Sequence, residues 1–161
     1  MVTASNKYNI VGSWLQGLME NLTIVDDHEN ETPVFKKVIV GVDEKQLQNF
    51  GDGVLGVCYV TGTTDYTETF GIHNRPKYIN SVVAFTIKGS NTKRYEHATR
   101  IMDLIHHNFE TNPNWWKLVD TENHKNIIRD TDITGSELTI TPNGKKLDII
   151  GVFTLRHHVY K

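Results

Sequence analysis

Residues 137–158, Glu-Leu-Thr-Ile-Thr-Pro-Asn-Gly-Lys-Lys-Leu-Asp-Ile-Ile-Gly-Val-Phe-Thr-Leu-Arg-His-His, decide the fold class. Glu137 to Thr141 and Lys145 to about His158 read as two strands. Pro142-Asn143-Gly144 joins them, and Asn and Gly supply the left-handed backbone that a tight hairpin turn needs. In the second run Leu147, Ile149, Gly151, Phe153, Leu155 and Val159 alternate with Asp148, Ile150, Val152, Thr154 and Arg156. Apolar residues stand on both sides of that alternation, so this strand is expected at or near the centre of a sheet.

Working back from the hairpin, the chain supplies more strands and two helices. Tyr8 to Leu22 carries Ile10, Val11, Trp14, Leu15, Leu18, Met19 and Leu22 at the three-and-four spacing of one helical face, with Ser5 or Asn6 as cap. A second helix is expected from Ser90 or Asn91 to about Glu110. Its buried stripe would be Tyr95, Ala98, Ile101, Met102, Ile105 and Phe109, and Asn112-Pro113 stops it. Val34 to Val42, Val54 to Thr61 and Ser81 to Lys88 read as strands, and Lys117 to Asp120 and Asn126 to Arg129 as weaker ones. Asp26 to Thr32 reads as a short acidic loop. Thr61 to Pro76 is long and polar, yet Tyr66 to Phe70 alternates in β fashion, so an extended arm or hairpin is expected there. The expected fold is a single α+β domain over residues 1–161, a mostly antiparallel sheet with the two main helices packed on one face.

Composition narrows the function. The chain has 161 residues, and 17 basic against 19 acidic side chains give it no global attraction for nucleic acid or an anionic bilayer. Cys58, the lone cysteine, lies in the apolar run Val54 to Val60, where a reduced, buried thiol is expected, as in a cytosolic protein. The first residues lack the pattern of a signal peptide, and no apolar run has the length of a membrane span. The two glycosylation sequons at Asn21 and Asn30 are therefore expected to be silent.

Residues that resemble chemical motifs fail on context. Gly51-Asp52-Gly53-Val54-Leu55-Gly56 matches the dinucleotide fingerprint, but β-forming residues follow it where a helix should open, so a turn into a strand is expected. His157 and His158 are neighbours on a strand and point to opposite faces, and His106 and His107 stand about 100° apart on a helix. Neither pair chelates one ion, and no metal or organic cofactor is expected. No nucleophile elbow is present, and Cys58 reads as core. Trp115-Trp116 reads as one core indole and one partly exposed. Lys93, Arg94, His97 and Arg100 read as a cationic flank on the second helix, either solvated or meeting an acidic protein surface.

The order of elements resembles the tail terminator, or tail completion, proteins of long-tailed bacteriophages. The resemblance rests on an N-terminal amphipathic helix (Tyr8 to Leu22) and a valine-rich strand pair with a long polar connection (Val34 to Pro76). A core strand leading into a long helix (Asn80 to Glu110) and a terminal hairpin ending in Asp148-Ile149-Ile150-Gly151-Val152-Phe153 complete it. It covers most of the chain and rests on element order and size, since that family has no diagnostic motif. It implies a non-enzymatic virion protein, made in the host cytoplasm, that forms a six-membered ring at the head-proximal end of the tail. The ring would stop tube polymerisation and offer the surface for head joining. Implied partners are the tail tube protein, a head-completion or connector protein, and other copies of the chain, with no membrane and no sequence-specific nucleic acid. The candidate assembly interface is Asp65, Tyr66, Glu68, Phe70, His73 and Arg75 on the polar segment, with Lys93, Arg94, His97 and Arg100 on the helix flank. A head-to-tail connector or other virion adaptor is the alternative, and a small hydrolase or nucleotide-binding enzyme the more distant one.

Overall fold

The computed structural model describes residues 4–26, 28–41, 44–65, 76–88, 94–120, 125–143 and 146–159. The apolar stripe at the N-terminus forms helix α1 (Ala4–Glu20), which buries Val11, Leu15 and Met19. It ends two residues before the expected Leu22, which is buried just beyond it. The acidic stretch that follows is not an open loop. It forms a small hairpin of β1 (Thr23–Val25) and β2 (Glu31–Pro33), turned at Glu29 with φ 62° and braced by Asp26 Oδ1, which accepts from the N–H groups of His28 and Asn30 at 2.9 Å each.

Next come β3 (Lys37–Val40), a short helix α2 (Glu44–Asn49) and the long strands β4 (Gly53–Asp65) and β5 (Pro76–Lys88). Helix α3 (Arg94–Thr111) follows, and then a 3-10 turn at Pro113–Trp115. The chain closes with β6 (Leu118–Asp120), β7 (Lys125–Asn143) and β8 (Lys146–Val159). The main sheet has six strands in the order β3-β4-β5-β8-β7-β6, so the fold is α+β with a mixed sheet and three α-helices among the described residues. β3 runs parallel to β4, and the other neighbours pair antiparallel. β8 lies inside the sheet, between β5 and β7, as its two-sided apolar pattern requires.

One cross-strand row organises the core. Gly56 of β4, Phe85 of β5 and Gly151 of β8 stand opposite one another, so all three point to the same side. The two glycines leave room for the Phe85 ring, which is 1% exposed. A Cβ on Gly151 would lie 2.5 Å from Phe85 Cζ and 2.9 Å from Met102 Sδ of α3, while one on Gly56 would lie 2.8 Å from Met19 Cε of α1. Ala98, Ile101, Ile105 and Phe109 of α3 are buried as the periodicity requires. Tyr95 departs from the expected stripe: it is 57% exposed, because the buried face runs through Arg94, Ala98, Ile101, Ile105 and Phe109, and Tyr95 stands about 100° round the helix from Arg94.

The largest departures are in extent. The two strands expected at 126–129 and 137–141 are parts of one strand, β7, which runs through Asp130 to Ser136 with register shifts at Ile128/Asp130 and Ile133/Gly135. The expected strand from Val34 shrinks to Lys37–Val40: Val34 and Phe35 are buried ahead of it, and Val42 lies outside the described residues. Gly51 to Gly56 follows α2 and enters β4, a helix-turn-strand arrangement that offers no helix N-terminus to a phosphate. Gly53, at φ 109°, makes the reversal there. The proposed caps Ser90 and Asn91 lie outside the described residues, as does Gly144 of the terminal turn. β7 and β8 are paired as far as Asn143 with Lys146.

Candidate functional site

The residues with the most chemical potential meet inside the protein. His157 of β8 is fully buried, and both ring nitrogens are occupied: Nε2 lies 2.6 Å from Ser81 Oγ and Nδ1 2.8 Å from Thr131 Oγ1. The Thr131 hydroxyl also reaches the Trp116 carbonyl at 3.3 Å, and the Trp14 indole meets the imidazole edge-to-face at 5.5 Å. Burial, with a smaller contribution from His158, lowers the His157 pKa from 6.5 to about 3, so the ring is neutral. Serine, histidine and threonine here mimic the order nucleophile, base and orienting group. The third member carries no charge, however, and Ser81 and His157 have no exposed surface through which a substrate could reach them. The array is a satisfied polar core that fixes β5, β7 and β8 in register.

The neighbouring His158 faces the other way, as strand geometry requires. Its Nε2 pairs with Asp132 Oδ2 at 2.7 Å, its ring meets Tyr78 edge-to-face at 4.8 Å, and Arg156 lies over Tyr78 at 5.0 Å. This cluster stands two residues from Pro76, at the base of the β4–β5 ribbon. His106 Nε2 lies 3.2 Å from Ser136 Oγ in an open groove of about 450 Å³ between α3 and β7, with Phe109, Glu110 and Asp132 on its walls. Cys58 is a buried free thiol whose pKa is pushed up to about 12, by burial first and by Glu20 second. Among the described residues no cluster of three or more His, Cys, Asp and Glu could hold a metal ion, and no helix is long and apolar enough to cross a membrane.

The expected assembly residues fall into two groups. Asp65 closes β4 opposite Pro76, so the long polar segment grows out of a paired ribbon. Tyr66, Glu68, Phe70, His73 and Arg75, like Lys93, lie outside the described residues. On the helix flank Arg94 is buried, so its charge does not face solvent with the others. His97 is half-buried, and its pKa is lowered by burial and then by Arg100. Arg100 is exposed and donates from Nη2 to the Val25 carbonyl at 3.2 Å, beside a hollow of about 310 Å³ lined by Ile24, Asp103, Leu104 and His107. Among the described residues of the expected cationic flank, Arg100 is exposed, His97 half-buried and Arg94 buried.

The two edges of the sheet, which sequence reading did not single out, differ in kind. Beyond β3, Gln16 of α1 donates from Nε2 to the Val38 carbonyl at 3.1 Å, so a helix side chain satisfies a group that an added strand would need. β6 pairs with β7 only over Lys125 to Ile128. Among the described residues no strand pairs with the outer side of β7 beyond that point. The signal was present in Glu137-Leu-Thr-Ile-Thr141, a β-branched run free of Lys and Arg, but the sequence does not tell which neighbour such a strand lacks. Neither a family model nor a curated protein sequence matches the chain.

Proposed function

We propose that this chain is a tail terminator subunit of a long-tailed bacteriophage, a ring-forming cap that ends the tail tube and receives the head. The observation that carries the reading is the placement of two hairpins at opposite ends of one sheet. The β5–β8 pairing spans Tyr78↔His158 to Ile87↔Ile149. At one end β4 and β5 continue past it to Asp65↔Pro76, and the polar residues 66–75 join them there. At the other end β7 and β8 continue to Asn143↔Lys146. A cap must meet a tube on one side and a different partner on the other, and two strand pairs that end at opposite ends of one sheet suit that task.

The element order supports the reading: an N-terminal helix, the β4–β5 strand pair, a core strand before a long helix, and a closing strand pair. We further infer that α1 and α3 cover the same face of the sheet, because Met19 lies beside Gly56 and Met102 beside Gly151, with Phe85 between the two glycines. The sealed Ser81, His157 and Thr131 array favours an assembly role over a hydrolase. A ring of this kind closes through heterologous contacts, so each subunit presents two different patches.

The test replaces residues 66–75 with a short Gly-Ser link. Shortening a loop at a paired base changes closure entropy by only about 1 kcal/mol, so the subunit stays folded. In a tail-assembly complementation assay the variant should give overlong tails or tails that fail to join heads. Normal-length, head-joined tails from the folded variant would exclude this segment as the recognition element.

A further inference from the structure

We propose that the outer edge of β7 from Glu137 to Thr141 is a self-association site, which pairs antiparallel with the same five residues of a second copy about a two-fold axis through Thr139. This proposal rests on the strand edge and stands apart from the tail reading.

β7 is irregular as far as Gly135, and Pro142 removes a donor near its end. Between them the rungs Ser136↔Phe153 to Thr141↔Asp148 run without a shift, so every second residue turns its N–H and C=O away from β8. Edge strands are normally guarded by lysine, by bulges or by a covering element. Glu137 to Thr141 contains no lysine and no bulge, and among the described residues no strand lies beyond it. Glu137, Thr139, Ile140 and Thr141 are exposed, and Ile140 at 39% and Ile150 at 43% are large apolar side chains left open on this stretch.

The chemistry of the segment selects its occupant. A two-fold axis normal to the sheet keeps both copies with the same face up, so each residue must oppose one of the same facing. Centring on Thr139 opposes Glu137 to Thr141, Leu138 to Ile140 and Thr139 to itself. The single charge then meets a hydroxyl instead of its own copy, the apolar pair forms on the helix-bearing side, and threonine meets threonine, all favourable cross-strand pairs. A centre one residue earlier runs the pairing into the Ile133/Gly135 irregularity, and one residue later opposes Leu138 to Pro142.

The test is cysteine cross-linking of the full chain. Cys58 is buried and stays protonated, so it does not compete. Directly opposed residues have Cα atoms about 4.5–5.5 Å apart, within the range a disulfide bridges. Thr139→Cys should form a disulfide-linked dimer under mild oxidation about tenfold faster than Glu137→Cys or Thr141→Cys, whose own copies lie roughly 13 Å away in this register. Circular dichroism checks that all three variants fold, and sedimentation of the wild type should show a concentration-dependent dimer. A wild type that stays monomeric at every concentration overturns the proposal. Equal cross-linking at 137, 139 and 141 overturns it too, because that pattern marks random collision. A larger closed species without preference for position 139 means that another element fills the edge, and it also excludes the two-fold pair.

Discussion

Adding one methyl group at Gly151 should cost more stability than a typical surface substitution. Gly151 lies at the centre of β8 with Phe85 directly opposite, and a Cβ there would sit 2.5 Å from Phe85 Cζ and 2.9 Å from Met102 Sδ. Met102 is flexible and can yield, whereas the Phe85 ring is 1% exposed and also meets Phe35 at 6.4 Å, so it has little room to move. Overpacking of this kind costs about 1–3 kcal/mol. Removing a strand glycine recovers about 0.5–1 kcal/mol of backbone entropy. The net expectation for Gly151→Ala is a loss of about 1 kcal/mol, or roughly 2–4 °C in Tm for a chain of this size. Urea denaturation followed by fluorescence reads it directly. The decisive arm is the Phe85→Leu background, where the clash is gone and Gly151→Ala should be neutral or slightly stabilising. If Gly151→Ala unfolds within about 0.5 kcal/mol of wild type, or costs the same with and without the Phe85 ring, the glycine is not making room for the aromatic side chain.

Acid should weaken the fold through His157. Its pKa falls from 6.5 in the unfolded chain to about 3 in the folded one, so the unfolded state takes up a proton that the folded state refuses. The contribution is fully present above pH 6.5 and is lost as the pH falls toward 3, about 2 kcal/mol of it by pH 5. His157→Gln should flatten that part of the stability curve, and an unchanged slope between pH 6.5 and 5 in the variant would assign the acid sensitivity elsewhere. On α3, Ile101→Asp places a carboxylate at a fully buried position and should abolish soluble folded protein, while Tyr95→Asp, at 57% exposure, should leave the unfolding midpoint nearly unchanged. Equal damage from both would restore Tyr95 to the buried stripe.

The parts of this fold legible in the sequence are those governed by local periodicity. Val11, Leu15 and Met19, or Ala98, Ile101, Ile105 and Phe109, declare a helix face because each turn repeats the same solvent contrast. The alternation from Ile149 to His157 likewise declares an internal strand. What stayed hidden depends on long-range pairing. Asp130 to Ser136 is polar and holds a glycine, yet it is strand because β8 supplies its partner. α2, with Leu47 as its one apolar residue, is too short to show a period, and Lys88 Nζ ties it to the sheet through the Leu47 carbonyl at 2.7 Å. The Ser81, His157 and Thr131 array joins residues 50 and 26 positions apart in sequence, a meeting that only the register of three strands creates. The candidate flank failed at Arg94 for a different reason: Arg94 is in phase with the buried stripe of Ala98, Ile101, Ile105 and Phe109, a place the sequence reading gave to Tyr95 because of its apolar ring.

The central claim, that this chain caps a tail tube, is tested most directly by electron microscopy of purified chain mixed with tail tubes, with an affinity tag to mark its position. The account predicts a ring of the tagged chain at one end of each tube and no further tube growth from that end. Chain that stays off the tubes, or that decorates their sides while both ends go on growing, would contradict it.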